Sequence, residues 1–291
     1  MSLEICVLGS GSGGNATVVR SPGGSFLIDA GLGPRVTAQR LHGTGVAVED
    51  LQAIVLTHLD SDHFKWHWLN TITRSNIRLY CHCAKLQRIA NSPEARDHAL
   101  RYQDRPLGPL LHGFEAAFEP VAGVRMEPLD LAHDEAGSHG FVMSCNGYRV
   151  GYATDLGHVP EHLLEHFTGT DVVMLESNYD PDMELNSDRP WYLKKRVMGG
   201  KGHLSNEQAL NAVQAILDRT AERHGADKLP CHIVLMHRSR QCNCPNLVRK
   251  LFSRDQRIKP ILTLADQFER TPWLSVRGKR TQAVQQVLAF G

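Results

Sequence analysis

The chain has 291 residues, of which 42% are hydrophobic and 22% charged, and 32 basic and 31 acidic residues give a formal net charge of +1 at pH 7. These values are ordinary for a globular protein and exclude wholesale disorder, a collagen-like chain and a coiled coil. A chain so close to neutral has no overall field that draws it to nucleic acid or to a membrane, so any contact with a polyanion must come from a local patch.

The sequence predicts a cytoplasmic protein. The first ten residues lack a basic segment followed by a long apolar run, which argues against a signal peptide. No run approaches 18 apolar residues, so no membrane-spanning segment is predicted. Seven cysteines, an odd number, favour a reducing compartment over a disulfide framework. No segment reads as a linker, and we expect one domain over residues 1–291.

The predicted elements begin with strands and continue as a mixture of strands and helices. Runs of apolar and β-branched residues predict strands at Leu3–Leu8, Ala16–Arg20, Ser25–Asp29, Ala53–Thr57, Arg78–Cys81, Phe141–Cys145, Tyr148–Ala153, Asp171–Leu175 and His232–Met236. Periodic apolar positions predict helices at Pro34–Leu41, Phe64–Thr73 and Ser205–Glu222. This order favours an α/β fold of the α+β kind, with two sheets in the middle and helices outside, over a regular βαβ repeat.

Two short signals mark particular connections. Asn146-Gly147 lies between two predicted strands and is typical of a β-hairpin turn. Ser205 and Gln208 have the spacing of a capping box at the start of the longest predicted helix.

A glycine-rich segment after the first strand superficially matches a dinucleotide-binding loop. Gly9–Gly14 contains G-x-G-x-x-G, but residues 15–20 are β-rich, whereas a dinucleotide site needs a helix at this point. We therefore expect a turn between strands and no nucleotide cofactor. Exposed backbone N–H groups and Asn15 are candidates to line an anionic substrate pocket.

The segment Thr57–His63 is the most informative in the chain. Four potential metal ligands lie within six positions, directly after a predicted buried strand: His58, Asp60, Asp62 and His63. A loop at a strand end can turn all four towards one point. Taken alone, the segment is also consistent with a solvated polar turn.

Three further potential ligands lie in similar settings. His133 and Asp155 follow predicted strands, and His203 precedes the capped helix. Together with the first four, they are enough for two metal ions that share a bridging carboxylate. Two such ions can activate a water molecule and bind both the attacking and the leaving oxygen in a hydrolysis.

In order and context these motifs resemble the metallo-β-lactamase fold family, whose pattern is H-x-H-x-D-H followed by single His, Asp and His residues. Further segments resemble the YycJ (WalJ)-like exonuclease group of that family: Gly9–Asn15, His133–Glu135, Ala153–Gly157, Glu176–Asp180 and Gly202–Asn206. The resemblance implies a four-layer αββα sandwich, two divalent metal ions (Zn, Mn or Fe) and DNA exonuclease activity from the 5′ end.

The resemblance also implies roles for individual residues. His58, Asp60 and His133 would hold one metal ion, Asp62, His63 and His203 the other, and Asp155 would bridge the two. Asp29, in a segment that resembles the family's first motif, would support the metal loop. The chain departs from the family at Asp60, which stands where the family has histidine. A carboxylate adds negative charge and a harder ligand, which favours Mn or Fe over Zn or leaves that site weak.

Two segments favour a phosphodiester substrate such as DNA. Four basic residues precede His203 and are candidates to bind phosphates, although a solvated helix face explains the first three equally well: Lys194, Lys195, Arg196 and Lys201. After a later strand, His237 is expected to donate to a phosphate oxygen or to protonate the leaving group, and Arg240 to contact a phosphate. Asp62 and His237 are the predicted catalytic residues.

Two other functions are also consistent with the sequence. A small-molecule hydrolase acting on a lactone, a thioester or a cyclic phosphodiester would have a narrow, closed pocket. A non-catalytic binding protein with a degenerate metal site would explain Asp60, the one sign of degeneration. Metal content and a panel of substrates distinguish these possibilities from a nuclease.

Overall fold

The computed structural model describes residues 3–276. Two sheets contain the strands β1 (Glu4–Gly9), β2 (Ala16–Ser21), β3 (Gly24–Ile28), β4 (Leu51–Val55), β5 (Arg78–His82), β6 (Leu111–Phe114), β7 (Phe118–Val121), β8 (Val124–Leu131), β9 (Ser138–Cys145), β10 (Tyr148–Ala153), β11 (Val172–Glu176), β12 (His232–Met236), β13 (Leu262–Leu264) and β14 (Leu274–Ser275). The helices are α1 (Pro34–Leu41), α2 (Trp68–Ser75), α3 (Cys83–Ala90), α4 (Pro93–Arg101), α5 (Glu161–Phe167), α6 (Pro181–Leu185), α7 (Trp191–Met198), α8 (Asn206–His224) and α9 (Pro245–Phe252).

The sheets are mixed, and each contains seven of the described strands. The first has the order β14-β1-β2-β3-β4-β5-β6 and the second β13-β12-β11-β10-β9-β8-β7. Strands β3 to β6 are parallel, as are β10 to β13, whereas the remaining pairs are antiparallel. Because β8 runs antiparallel to β9 and β9 to β10, strands β8, β10, β11 and β12 all end at the same edge of the second sheet.

Three apolar layers hold the fold together. The inner layer joins the facing surfaces of the two sheets and includes Ile28, Val55 and Met174. An outer layer packs α2 on the first sheet and includes Trp68, and another packs α8 on the second and includes Ile216. Each layer removes large apolar side chains from water, which is the main favourable contribution to folding. The expected four-layer αββα arrangement is therefore confirmed.

Most predicted elements match within one or two residues. The hairpin turns at Asn146-Gly147, and Ser205 caps α8 together with Gln208, as predicted. The predicted helix 64–73 begins only at Trp68, because Phe64 forms a parallel bridge with Ala30. None of the helices in residues 3–276 is both long and apolar enough to cross a bilayer.

Candidate metal centre

The predicted ligands meet where the strands of both sheets end. The metal loop 57–63 follows β4 in the first sheet. His133, Asp155 and His237 follow β8, β10 and β12 in the second, whereas His203 lies in the loop between α7 and α8. Asp29 and His237 come directly after a strand and Asp155 one residue later, and the three have positive φ angles of 61°, 51° and 57°. Non-glycine residues rarely adopt this left-handed conformation, which is enriched in turns and at functional sites. Here it turns a side chain sharply away from the strand direction.

Five histidine rings surround the Asp155 carboxylate, and each ring lies next to two of the others. Neighbouring ring centroids lie 4.1 to 5.5 Å apart in the order His58, His63, His237, His203, His133 and back to His58. Asp155 is 2% exposed, and its two oxygens face different histidines. Oδ2 lies 2.9 Å from Nε2 of His63, and Oδ1 lies 3.8 Å from Nε2 of His133. One carboxylate thus reaches both halves of the cluster, as a bridging ligand must.

Hydrogen bonds fix which ring nitrogen of each metal-loop histidine faces the centre. The Thr57 hydroxyl lies 3.0 Å from both Asp29 oxygens, so it donates its one proton there and accepts from Nδ1 of His58 at 2.9 Å. Nδ1 of His63 lies 2.8 Å from Asp29 and also carries a proton. Both rings therefore turn Nε2 inward, which is the arrangement that orients a metal-binding histidine. Asp29 thus binds both Thr57 and His63 of the metal loop.

The donor set fits a divalent cation. Nδ1 of His133 donates to the Gly202 carbonyl at 3.0 Å, which again leaves Nε2 free to bind. Within residues 3–276, Nε2 of His58 is one of two buried side-chain nitrogen or oxygen atoms that lack a hydrogen-bond partner. A buried nitrogen without a partner is costly in a folded protein. A cation shared with His133 and Asp60, whose ligand atoms lie within 4.8 Å of one another, would satisfy it.

Glu176 is a member of the site that the sequence analysis does not place there. It ends β11, is fully buried, and binds two histidines through one oxygen. Oε1 lies 2.9 Å from Nδ1 of His203 and 2.7 Å from Nδ1 of His237, while Oε2 accepts from the backbone N–H of Leu204. The signal for it is a single acid at the end of the apolar run Val-Val-Met-Leu-Glu, since a lone buried carboxylate requires compensating partners.

The structure places His237, rather than the expected His203, beside Asp62 and His63. The ligand atoms of Asp62, His63 and His237 lie within 4.8 Å of one another, and Nε2 of His237 is 3.3 Å from Asp62. His203, expected in that set, groups with Asp155, Glu176 and His237 and is absent from the set with Asp62 and His63. Conversely, His237 is 2% exposed and both its ring nitrogens face carboxylates, so neither is open to a leaving group. His203, with a side chain 20% exposed, is the most exposed of the three histidines that line the cleft.

Asp60 lies at the rim of the centre. Its side chain is 48% exposed, and Oδ2 is 3.9 Å from Nε2 of His58. Asp62 is deeper, at 23% exposure, and its carbonyl oxygen accepts the backbone N–H of Asn15 at 2.7 Å. A Cβ on Gly31 would lie 1.7 Å from the same carbonyl oxygen, so only glycine lets the neighbouring turn approach the metal loop this closely.

Carboxylates control the protonation of these histidines in the metal-free protein. Burial alone would lower the pKa of His63, but Asp155 and Asp29 raise it well above its ordinary value. Burial opposes the charge on His237 too, yet Asp155, Asp62 and Glu176 raise its pKa to about 10. The pKa of His58 falls well below the ordinary value because of burial and the neighbouring His63. Near neutral pH, His63 and His237 are therefore cationic when no metal is bound.

We expect metal binding to release protons. A cation binds only the neutral form of imidazole, so His63 and His237 must lose on the order of two protons per chain when metal enters at pH 7.5. Metal affinity should accordingly fall as the pH is lowered. Titration calorimetry with Mn²⁺ in buffers of equal pH and different ionisation enthalpy measures the released protons directly. A binding enthalpy that does not depend on the buffer would contradict the cationic states of His63 and His237.

Two of the expected substrate-binding residues are structural. Asn15 is 2% exposed, and its side chain binds Ser10 and the backbone of Gly11 within the β1–β2 turn. This turn is the strand-to-strand connection that the sequence predicts. The Lys194 amine is also withdrawn from solvent, because it donates to the carbonyl oxygens of Leu185 and Ser187 at 2.7 and 2.6 Å. Neither side chain is available to a substrate.

The other expected cations are at the surface. Lys195, Lys201 and Arg240 are exposed, and the Arg240 guanidinium lies 4.9 Å from the centre of the Phe268 ring. Arg196 lines the cleft and forms a bidentate salt bridge with Asp134 through Nε and Nη2. The geometry thus retains these four residues as candidates.

A cleft of about 220 Å³ opens directly over the metal ligands. Asp60, Asp62, His133, Asp155, His203 and His237 form part of its lining. Arg189, which the sequence analysis missed, forms part of its wall. Its guanidinium is held by the buried Glu184 at 2.9 Å and lies 3.4 Å from the Ser239 hydroxyl. Glu184, five positions earlier, and Ser239, 50 positions later, together position this arginine, and the second contact is not visible in the local sequence.

Comparison with known proteins assigns the family. The beta-lactamase superfamily domain matches residues 25–233, which is more than half of the chain. The exodeoxyribonuclease YycJ of Bacillus anthracis is 26% identical over 260 residues, covering 87% of this chain and 89% of that protein. The exodeoxyribonuclease WalJ of Streptococcus pneumoniae is 26% identical over 249 residues, covering 85% and 86%.

A solved structure supports the fold independently. The metallo-beta-lactamase fold protein YhfI from Bacillus subtilis covers 93% of this chain with 99% of its own, with a TM-score of 0.62 and 14% identity. The expected family, fold and broad class, a metal-dependent hydrolase, are therefore confirmed. The chain belongs to the beta-lactamase superfamily.

Proposed function

We propose that this member of the beta-lactamase superfamily is a dinuclear metal-dependent DNA exonuclease that acts from the 5′ end. The observation that carries the proposal is the cleft itself. It brings seven carboxylate and imidazole side chains to its floor and places Arg189 and Arg196 in its lining. An arginine fork binds phosphate oxygens well, so the same opening can hold a phosphodiester beside the ligands. The named activities of the two relatives support DNA as the polymer.

The site geometry supports a revised set of ligands. We assign one cation to His58, Asp60 and His133, and a second to Asp62, His63 and His237, with Asp155 shared. The carboxylate of Asp60 in the first set is a hard ligand, which favours Mn or Fe over Zn there. Bound cations of this kind lower the pKa of a coordinated water towards neutrality and offset the charge of a phosphate.

The residues of the chain supply orientation and proton transfer. Thr57, Asp29 and Glu176 hold the histidines in one tautomer each, so no reorganisation is needed when a substrate enters. With Nδ1 of His203 bound to Glu176, the other ring nitrogen is left to donate a proton to the leaving oxygen. In the metal-free protein burial lowers the pKa of His203, but Glu176 and Asp155 raise it above its usual value, which favours the protonated donor.

The proposal is tested with purified protein and a duplex carrying a label at one end. With Mn²⁺ we expect stepwise shortening from the 5′ end, and none for Asp62→Ala, which should still bind DNA because the arginines are intact. Zn²⁺ and Mg²⁺ are compared in parallel. Full activity of the Asp62→Ala protein would contradict the proposed centre. Two bound cations per chain without any DNA hydrolysis would instead favour a small-molecule hydrolase, and a panel of lactones, thioesters and cyclic phosphodiesters then follows.

A further inference from the structure

Helix α7 exposes two large aromatic side chains beside the cleft. Trp191 is 58% exposed and Tyr192 is 74% exposed, and they are two of the three exposed aromatic residues among residues 3–276. The opposite side of the helix is anchored, since Val197 belongs to a small apolar cluster with Tyr179 and Cys242. The aromatic pair is therefore held on a fixed element but takes no part in its packing.

Cations alternate with these aromatics around the helix. Residues four positions apart lie on one face, which pairs Tyr192 with Arg196 and Trp191 with Lys195. The Lys195 amine lies 5.9 Å from the centre of the Trp191 ring. Arg196 lines the cleft. At 3.6 residues per turn, the order around the helix starting from Arg196 is Tyr192, Lys195 and Trp191. We call these four residues the α7 strip.

Such a surface matches the chemistry of unpaired nucleotides. Proteins that bind single strands combine a basic groove for the phosphates with aromatic rings on which successive bases stack. In a duplex the base faces are already stacked on each other, so rings at the surface gain little from it. A helix of eight residues is about 12 Å long, which is room for two or three stacked bases.

We propose that the α7 strip is a stacking platform for the unpaired bases of a DNA single strand whose end lies in the cleft. This inference rests on the proposed nuclease function and adds that the preferred substrate is single-stranded at the end being degraded. Trp191 and Tyr192 stack on bases, while Lys195 and Arg196 face the phosphates between them. Asp134 holds Arg196 in place without removing its contact with the cleft.

The test is equilibrium binding without metal, so that it does not depend on hydrolysis. Fluorescence anisotropy of labelled oligo(dT) and of a labelled blunt duplex is measured in EDTA with the full chain. The double variant Trp191→Ala/Tyr192→Ala should bind oligo(dT) at least about 30-fold more weakly, since two stacked bases are lost. Binding of the duplex should change less than about threefold, because stacking contributes little to it.

Two control variants separate stacking from general effects. Trp191→Phe keeps an aromatic ring and should retain most of the affinity for oligo(dT). Leu100→Ala removes an apolar side chain of equal exposure, 74%, from the unrelated helix α4 and should change nothing. All substituted side chains are exposed, so the variants are expected to fold, and circular dichroism verifies this.

The outcomes of this experiment distinguish failure of the α7 strip as a stacking platform from failure of the proposed nuclease function. Wild-type affinity of the double variant for oligo(dT) would overturn the platform and leave the nuclease proposal standing, provided that the wild-type protein degrades DNA with Mn²⁺. An equal loss for single strands and duplex would also overturn it, because the strip would then act only through charge. A wild-type protein that neither binds nor hydrolyses DNA would overturn both, and the strip would then be tested as a protein-docking surface.

Discussion

Replacing Asp155 with asparagine is expected to remove most of the bound metal and to slow hydrolysis by at least about a thousandfold, because both proposed cations depend on this carboxylate. Its Oδ2 lies 2.9 Å from His63, and its Oδ1 lies 3.2 Å from His237 and 3.8 Å from His133. Asparagine keeps the shape but loses the charge and one of the two acceptor oxygens. Cavity and packing effects are therefore small, and the loss reports on charge and ligation.

The measurement is metal content per chain after reconstitution with Mn²⁺, together with the rate of degradation of end-labelled DNA. Asp104→Asn is the matched control, since the Asp104 side chain is 85% exposed and the same chemical change should leave both values unaltered. Binding of oligo(dT) in EDTA should persist in the Asp155→Asn protein, because Arg189 and the α7 strip are unchanged. A variant that holds its full complement of metal and degrades DNA normally would show that Asp155 does not bridge the centre.

The metal loop could be predicted because its information is local. Four potential ligands lie within six consecutive positions after an apolar strand: His58, Asp60, Asp62 and His63. The end of the strand determines where their side chains point. The sandwich was predictable for a similar reason, since apolar runs, the Asn146-Gly147 turn and the Ser205 cap each depend on a few neighbouring residues. The four-layer arrangement itself was implied by the family resemblance.

Residues whose role depends on distant partners could not be placed correctly. Lys194 belongs to a basic run that is typical of a phosphate-binding helix, yet its amine is taken by two carbonyl oxygens seven and nine positions earlier. The opposite holds for Glu176: its partners His203 and His237 lie 27 and 61 positions away, so the local sequence shows a lone acid after an apolar run but not which groups it binds. Buried charges are determined by tertiary pairing, and composition and periodicity do not record that pairing.

The positions of His203 and His237 within the site also could not be predicted from the sequence. His237 follows strand β12 and His203 precedes helix α8, both in polar segments. The sequence around them therefore does not decide which of the two binds metal. Only the three-dimensional arrangement distinguishes them, because His237 comes directly after β12 with a φ of 51° and lies against Asp62. His203 enters from the loop before α8 and reaches the centre from the side of Glu176.

Alanine substitutions at these two histidines are therefore expected to give different results. His237→Ala should lose the cation shared with Asp62 and His63 and, with it, nearly all hydrolysis. His203→Ala should keep its metal and bind DNA normally, but its kcat should fall by about 10²- to 10⁴-fold, which is the usual contribution of a general acid. In the second variant KM should change little, because no group that holds the substrate is removed.

The pH profile separates proton donation from ligation in the His203 variant. Loss of a general acid removes the fall in kcat that accompanies its deprotonation, so the alkaline limb of the wild-type profile should disappear while the slow residual rate remains. Glu176→Gln is the companion variant: it leaves both histidines present but weakens their orientation, and it should lower kcat less than His203→Ala does. If His203→Ala instead lost one cation per chain while His237→Ala kept both, His203 would be the ligand, as the family pattern implies, and the proton donor would have to be sought among the other groups that line the cleft.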